Sequence, residues 1–192
     1  MSMRILGALA VFCGLMAATA PDASAELTMT QVTAVQRCQD ALDLQGRLLV
    51  AKAQSGFEGC FSAKLAPVLK DDNGLITPAR FTSDNNRATT TCNTRLNGIA
   101  TQTTTMINAV IRACGPVEAL ILAPDPPPVG DPLGLVSVWG AASVEELAGL
   151  VCGEALTEAL FMAEGKIPRG LDISIADPDI SPTKDIDARC DF

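Results

Sequence analysis

Two pairs of cysteines in this chain are set the same distance apart, 22 residues from Cys38 to Cys60 and 22 from Cys92 to Cys114. In an α-helix 22 steps make six turns plus about 40°, so both cysteines of a segment lie on nearly one face, about 33 Å apart. A disulfide needs its Cα atoms within about 4.4 to 6.8 Å, so neither segment can close on itself while it stays helical. Laid antiparallel, the two helices bring Cys38 opposite Cys114 and Cys60 opposite Cys92, and Cys152 remains for Cys190. The parallel solution, Cys38 with Cys92 and Cys60 with Cys114, asks the connection to return a whole helix length. The antiparallel framework is therefore expected. Zinc ligation is the competing use of cysteine, but it wants close Cys-x-x-Cys pairs or histidine, and the chain has neither.

Disulfides imply an oxidising compartment, and the N-terminus reads accordingly. A short basic start at Arg4, an apolar run over residues 5 to 20 and a small-residue site ending at Ala25 are the parts of a signal peptide, with cleavage expected after Ala25. A cut after Ala20 fits the small-residue rule but would leave Pro21 first. The run is shorter than the roughly 20 apolar residues of a bilayer-spanning helix, so no membrane anchor is expected in the mature form. Cys13 lies within this leader after Phe12, a poor context for lipid attachment. The leader carries one charge of each sign, Arg4 and Asp22, so the mature protein keeps the net charge of −8, which disfavours nucleic acid as a partner. With no tyrosine and one tryptophan, the core must come from Leu, Val, Ile, Ala and Met, a composition that favours helices.

The apolar periodicity supports helices between the cysteines. Cys92, Leu96, Ile99, Thr103, Met106, Val110 and Ala113 step by fours and threes, the seam of a helix packed along another. Gly115 and Pro116 should stop that helix, with Gly115 as a left-handed cap. The threonines at 89 to 91 and 103 to 105 argue against it, being mediocre helix formers. In the first segment Val35, Cys38, Leu42, Leu49, Ala53, Phe57 and Cys60 share a face, with Thr30 as the expected N-cap. Gly46, Gly56 and Gly59 weaken it, and near Ser55-Gly56 is where a break in the helix would fall. Residues 71 to 82 read as a turn and a short connection. The Asp71-Asp72-Asn73-Gly74 run is not a calcium loop, because Leu69 and Arg80 stand where carboxylates belong. A proline-rich linker covers residues 123–142, and a third helix over about 144 to 164 begins at Ser143 with Glu146 three residues on. Gly165 and Pro168 should end it. Residues 171 to 192, with six aspartates and no glutamate, read as an irregular acidic arm anchored by Cys190.

Without histidine, triads and dyads that use imidazole are excluded, and no recognisable catalytic motif remains, so no enzyme activity and no cofactor are expected. The glutamates at 145, 146, 154 and 158 share the third helix and read as a solvated face. One metal reading survives in the arm: Asp177, Asp179, Asp185 and Asp187 alternate along the chain and could offer oxygens to calcium, although Pro182 and Ala188 occupy positions where a calcium loop needs glycine and glutamate. A solubilising acidic tail is the preferred reading.

The segments Cys38-Gln39-Asp40-Ala41 to Cys60 and Cys92-Asn93-Thr94-Arg95 to Cys114 resemble uncharacterised exported bacterial proteins that carry long Cys-helix-Cys units, over roughly residues 30 to 116. Their pairing logic is also similar to that of twin-cysteine helical hairpins, which use shorter spacings. The resemblance implies a helical disulfide architecture and no activity. The expected protein is all-α: a stapled antiparallel hairpin over residues 26–122, extended by a third helix and arm over 143–192 into a small bundle. Its expected role is structural or protein-binding, outside the cytoplasm, with small-molecule or calcium binding as the alternative.

Overall fold

A computed structural model describes residues 28–122, 140–180 and Cys190. The expected leader, most of the proline-rich linker, Asp185 and Asp187 lie outside the described residues. Among those described, the chain is helical with no strand: α1 Met29–Asp72, α2 Pro78–Cys114, a 3-10 turn Gly115–Val117, α3 Glu118–Ile121, α4 Val144–Lys166 and α5 Pro168–Ala176.

The first helix is continuous over 44 residues, about 66 Å, and does not break at Ser55-Gly56. Packing explains why. A Cβ added to Gly56 would lie 2.8 Å from Cδ1 and 2.9 Å from Cγ1 of Ile99, so this glycine makes the room that the Ile99 side chain of α2 occupies. The helix also runs through Pro67, whose missing N–H removes one bond of the ladder. Its N-cap is Thr28 and not the expected Thr30: Thr28 Oγ1 accepts from the Gln31 N–H, and the Thr28 N–H donates to Gln31 Oε1 at 2.8 Å. This reciprocal pair satisfies two amides, which a cap at Thr30 would not achieve with the helix already begun at Met29.

The turn expected at Asp71–Gly74 ends α1. Gly74 takes φ +65°, its N–H donates to Asp71 O, and the Leu75 N–H donates to Lys70 O at 2.9 Å. These are the two bonds that close a helix on a left-handed glycine. The connection is shorter than expected, because Thr77 caps α2 and Pro78 occupies its first position, so residues 78 to 82 are already helical.

The two helices run antiparallel and are joined by disulfides at two points along their contact. Cys38 is bonded to Cys114 and Cys60 to Cys92, with Cα separations of 4.6 and 4.1 Å. Cys152 of α4 is bonded to Cys190, Cα separation 5.7 Å. All six cysteines are buried. The seam predicted for α2 faces α1, with Cys92, Leu96, Ile99, Thr103, Met106 and Val110 buried and Ala113 at the margin.

Gly115 differs from expectation. Its φ of −51° is right-handed, and Gly115–Val117 continues as a 3-10 turn, so the chain tightens where a left-handed cap was predicted. Pro116 fits because it sits at the start of that turn, where its missing N–H matters least.

The third long helix packs on both hairpin helices and completes one core, in which Val144, Leu147, Leu156 and Ala159 are buried together with Leu49, Phe57, Met106 and others of the hairpin. Ser143 caps it through the Glu146 N–H, while Glu146 Oε2 accepts from the Ala142 N–H at 2.7 Å. Glu118 of α3 accepts from the Val144 N–H at 3.1 Å, tying the two elements together. At the other end Pro168 starts a helix where the sequence suggested only a stop. Residues 171 to 176, expected to be irregular, form the rest of α5. Leu171 and Ser174 are buried, which gives this segment a packed face that aspartate content alone conceals.

Candidate functional site

The seam of α1 continues past its second cysteine as Phe57, Cys60, Lys64 and Pro67, and all four side chains are buried. A lysine at such a position has to find oxygen partners inside the protein, because an unpaired buried ammonium costs several kcal/mol. Lys64, only 1% exposed, finds three: its Nζ donates to Asn85 Oδ1 at 2.7 Å, Thr89 Oγ1 at 3.2 Å and Asp177 Oδ2 at 2.6 Å. The number of acceptors equals the number of N–H groups an ammonium carries. Asn85 and Thr89 lie one turn apart on α2, and Asp177 follows directly on α5, so one side chain of α1 binds two other elements.

Asp177 is positioned by its own turn. Its Oδ1 accepts from the Asp179 N–H at 2.9 Å, and the Ile180 N–H donates to its backbone oxygen at 3.1 Å. Thr89 Oγ1 lies 3.2 Å from Asp177 Oδ2. Partial burial by itself would raise the carboxyl pKa. The hydrogen bond from Lys64, that from Asp179, the charge of Lys64 and the Thr89 hydroxyl outweigh it and hold Asp177 below the ordinary aspartate value.

The placement of α5 depends on a close backbone approach. A Cβ on Gly170 would fall 2.7 Å from Cβ and O of Phe61, so α5 can reach α1 only with glycine there. Ser174 is buried, with Oγ donating to Gly170 O at 2.8 Å and lying 3.9 Å from Cys60 Sγ. Further out, Lys166 pairs with Glu58 at 2.6 Å, and Arg169 pairs with Asp72. The hydrogen bonds from Lys166 and Gln54 hold Glu58 below its usual value.

Beside Lys64 the three elements leave an open depression of about 610 Å³, walled by Val68, Phe81, Ile173 and Pro178 and floored by Asn85 and Asp177. A smaller one of about 360 Å³ lies between α1 and α4, next to Gly46, Val50, Val151 and Glu158. With each Lys64 proton already held by an acceptor, the cluster acts as a latch between elements. Lys64 can serve as a base or nucleophile only after that latch opens.

The residues singled out from sequence fall as follows. The three cysteine pairs are joined as the spacing assigned them. Asp177 accepts from the backbone N–H of Asp179 and pairs with Lys64, so one of the carboxylates proposed for calcium already carries an ammonium counter-ion. Among the described residues no group of three or more metal-ligating side chains is assembled. Glu145, Glu154 and Glu158 are exposed on α4. Lys64 was missed, although its position on the apolar seam of α1, seven residues after Phe57, was a readable signal. Among the described residues no helix is long and apolar enough to cross a membrane. No family model, no curated protein and no solved structure matches this chain.

Proposed function

We propose that the chain acts outside the cytoplasm as a non-catalytic helical protein with a structural or protein-interaction role. The observation that carries this reading is the set of three buried disulfides, which join positions 76, 32 and 38 residues apart and hold every long helix. Such bonds persist in oxidising compartments and are reduced in the cytosol. The buried polar chemistry supports the non-catalytic half, since Lys64, Asn85, Thr89 and Asp177 satisfy one another. Exposed apolar side chains support the interaction half: Leu44 and Leu48 on α1, and Phe161, 75% exposed, on α4.

Fractionation of the native host with thiol alkylation before and after reduction tests the compartment. The expected product is extracytoplasmic, starts at Glu26, and reacts only after reduction; reduced protein in the cytosol would overturn the reading. A photo-crosslinking residue at Phe161, compared with one at the exposed polar position Gln39, tests the partner. A discrete protein adduct from Phe161 alone is expected, and equal or absent labelling at both sites removes the protein-interaction role.

Ligand binding is the second reading, and the depression beside Lys64 favours it by combining apolar walls with an amide and carboxylate floor. Calorimetric titration of the full chain with calcium, against Asp179→Asn, addresses its metal form. Heat that the variant lacks supports calcium binding, and identical traces remove it.

A further inference from the structure

The open depression beside Lys64 has the size of a small-molecule site, about 610 Å³ against roughly 300 to 1,000 Å³ for such sites in general. Its chemistry narrows what could fill it. Val68 of α1, Phe81 of α2 and Ile173 of α5 bring apolar surface from three helices. The carboxylates, Asp177 and Asp179, come from a single turn, with Pro178 between them. A molecule filling the space therefore meets hydrocarbon from every bordering helix and negative charge from that one turn.

Lys64 does not cancel that charge. It is the only basic side chain lining the depression, and its N–H groups are spent on Asn85, Thr89 and Asp177. One ammonium stands against two carboxylates, so the lining is negative overall. Other cations of the bordering helices are committed elsewhere: Lys70 and Arg80 to Asp84, and Arg169 to Asp72. Among the described residues no side chain pairs with the Asp179 carboxylate, and only its backbone N–H is engaged, by Asp177. Asp177 also keeps capacity. Its Oδ2 takes Lys64 and lies close to Thr89, while its Oδ1 takes the Asp179 N–H alone. A carboxylate oxygen can accept two hydrogen bonds, which leaves one site on Oδ1 open.

These features sort the ligands that would fit. An anion is repelled by the unpaired carboxylate and by a protein of net charge −8. A bare calcium ion wants about six to eight oxygens, which walls of valine, phenylalanine and isoleucine do not supply. A neutral apolar molecule would cover the open Asp177 oxygen without giving it a hydrogen bond. An organic ammonium ion meets each demand: its N–H fits Asp177 Oδ1, its charge stands opposite Asp179, and its hydrocarbon lies against the three helices. Because Asp179 is exposed, the cation keeps part of its hydration and is spared the cost of full burial. Building on the ligand-binding reading of this depression, we infer that it takes a small organic ammonium ion with an apolar body, its cation at the turn of residues 177 to 179.

The full disulfide-bonded protein is titrated calorimetrically with protonated phenylbutylamine, phenylbutanol and phenylbutyrate, which share one body and differ in charge. The ammonium is expected to bind at a single site and more tightly than either of the others. Asp179→Asn leaves the backbone N–H to Asp177 in place and should weaken the ammonium about fivefold, the scale of a partly exposed charge pair. Glu164→Gln removes an equal charge from an exposed position on α4 and should leave binding unchanged. The alcohol or the carboxylate binding as tightly as the ammonium would overturn the inference while leaving the depression a ligand site. No binding by any of the three would remove the small-molecule site along with the inference. Ammonium binding weakened equally by both substitutions, or by neither, would mean attraction to the acidic protein as a whole and would also overturn it.

Discussion

Lys64 sets the energetics at the residue scale, because it is the buried charge on which three helices converge. Lys64→Met keeps the length of the side chain but leaves Asp177 without its counter-ion. Breaking a fully buried pair costs about 3 to 5 kcal/mol, and since the Asp177 side chain keeps 13% exposure, a loss of about 2 to 3 kcal/mol is expected in urea unfolding of the oxidised protein. The same pair fixes the sign of an acid effect. A carboxyl held below its unfolded value of about 3.9 contributes stability that is fully present above that value and is lost as pH falls through the lower, folded one. The difference in urea midpoint between wild type and Asp177→Asn should therefore be largest near about pH 6 and close as the solution is taken toward about pH 3. A gap that widens on acidification would contradict the arrangement. Thr103 presents the opposite case: it is buried in the α2 seam with no partner for its hydroxyl. Thr103→Val keeps the shape and removes the stranded oxygen, so a gain of about 1 kcal/mol is expected from the same measurement.

At the scale of the elements, glycines separate helix propensity from packing. Gly153 on α4 has nothing within 4 Å of an added Cβ, whereas Gly170 on α5 would press that atom into Phe61. Gly153→Ala should stabilise by about 0.5 to 1 kcal/mol, and Gly170→Ala should destabilise by about 1 to 3 kcal/mol and detach α5. Thermal unfolding of the two variants side by side checks both, and two shifts of the same sign would refute the close approach. The same contrast explains what could be read from the sequence. Equal cysteine intervals and the α2 seam were legible because helical geometry leaves few ways to pair them. Continuity through Gly56 was not, because the glycine that weakens the helix locally is the one that admits Ile99. The helix Pro168–Ala176 was hidden for a related reason: proline begins it, aspartates surround it, and its buried face consists only of Gly170, Leu171 and Ser174. The Lys64 latch joins residues 113 positions apart, a distance over which no local pattern announces a partner.

For the whole molecule, the order in which the staples matter follows from how they nest. Cys60–Cys92 closes the 32-residue loop around the hairpin turn, and Cys38–Cys114 encloses that loop within 76 residues. With the inner bond in place, the outer one closes only the two 22-residue stretches that flank it. In the chain-entropy account that closure is worth about 4 kcal/mol. If the inner bond is cut instead, the outer still restrains the full loop, and the unfolded chain gains less freedom, about 3 kcal/mol. Both pairs lie fully buried in the same interface, so replacing either by alanines removes comparable packing. Cys38→Ala with Cys114→Ala should therefore lower stability more than Cys60→Ala with Cys92→Ala, despite leaving the turn-proximal clamp intact, as read from guanidinium midpoints at matched m-values. The inverse order would mean that strength at the Gly56 and Gly170 crossings, close to the inner bond, governs the bundle more than restraint of its unfolded chain.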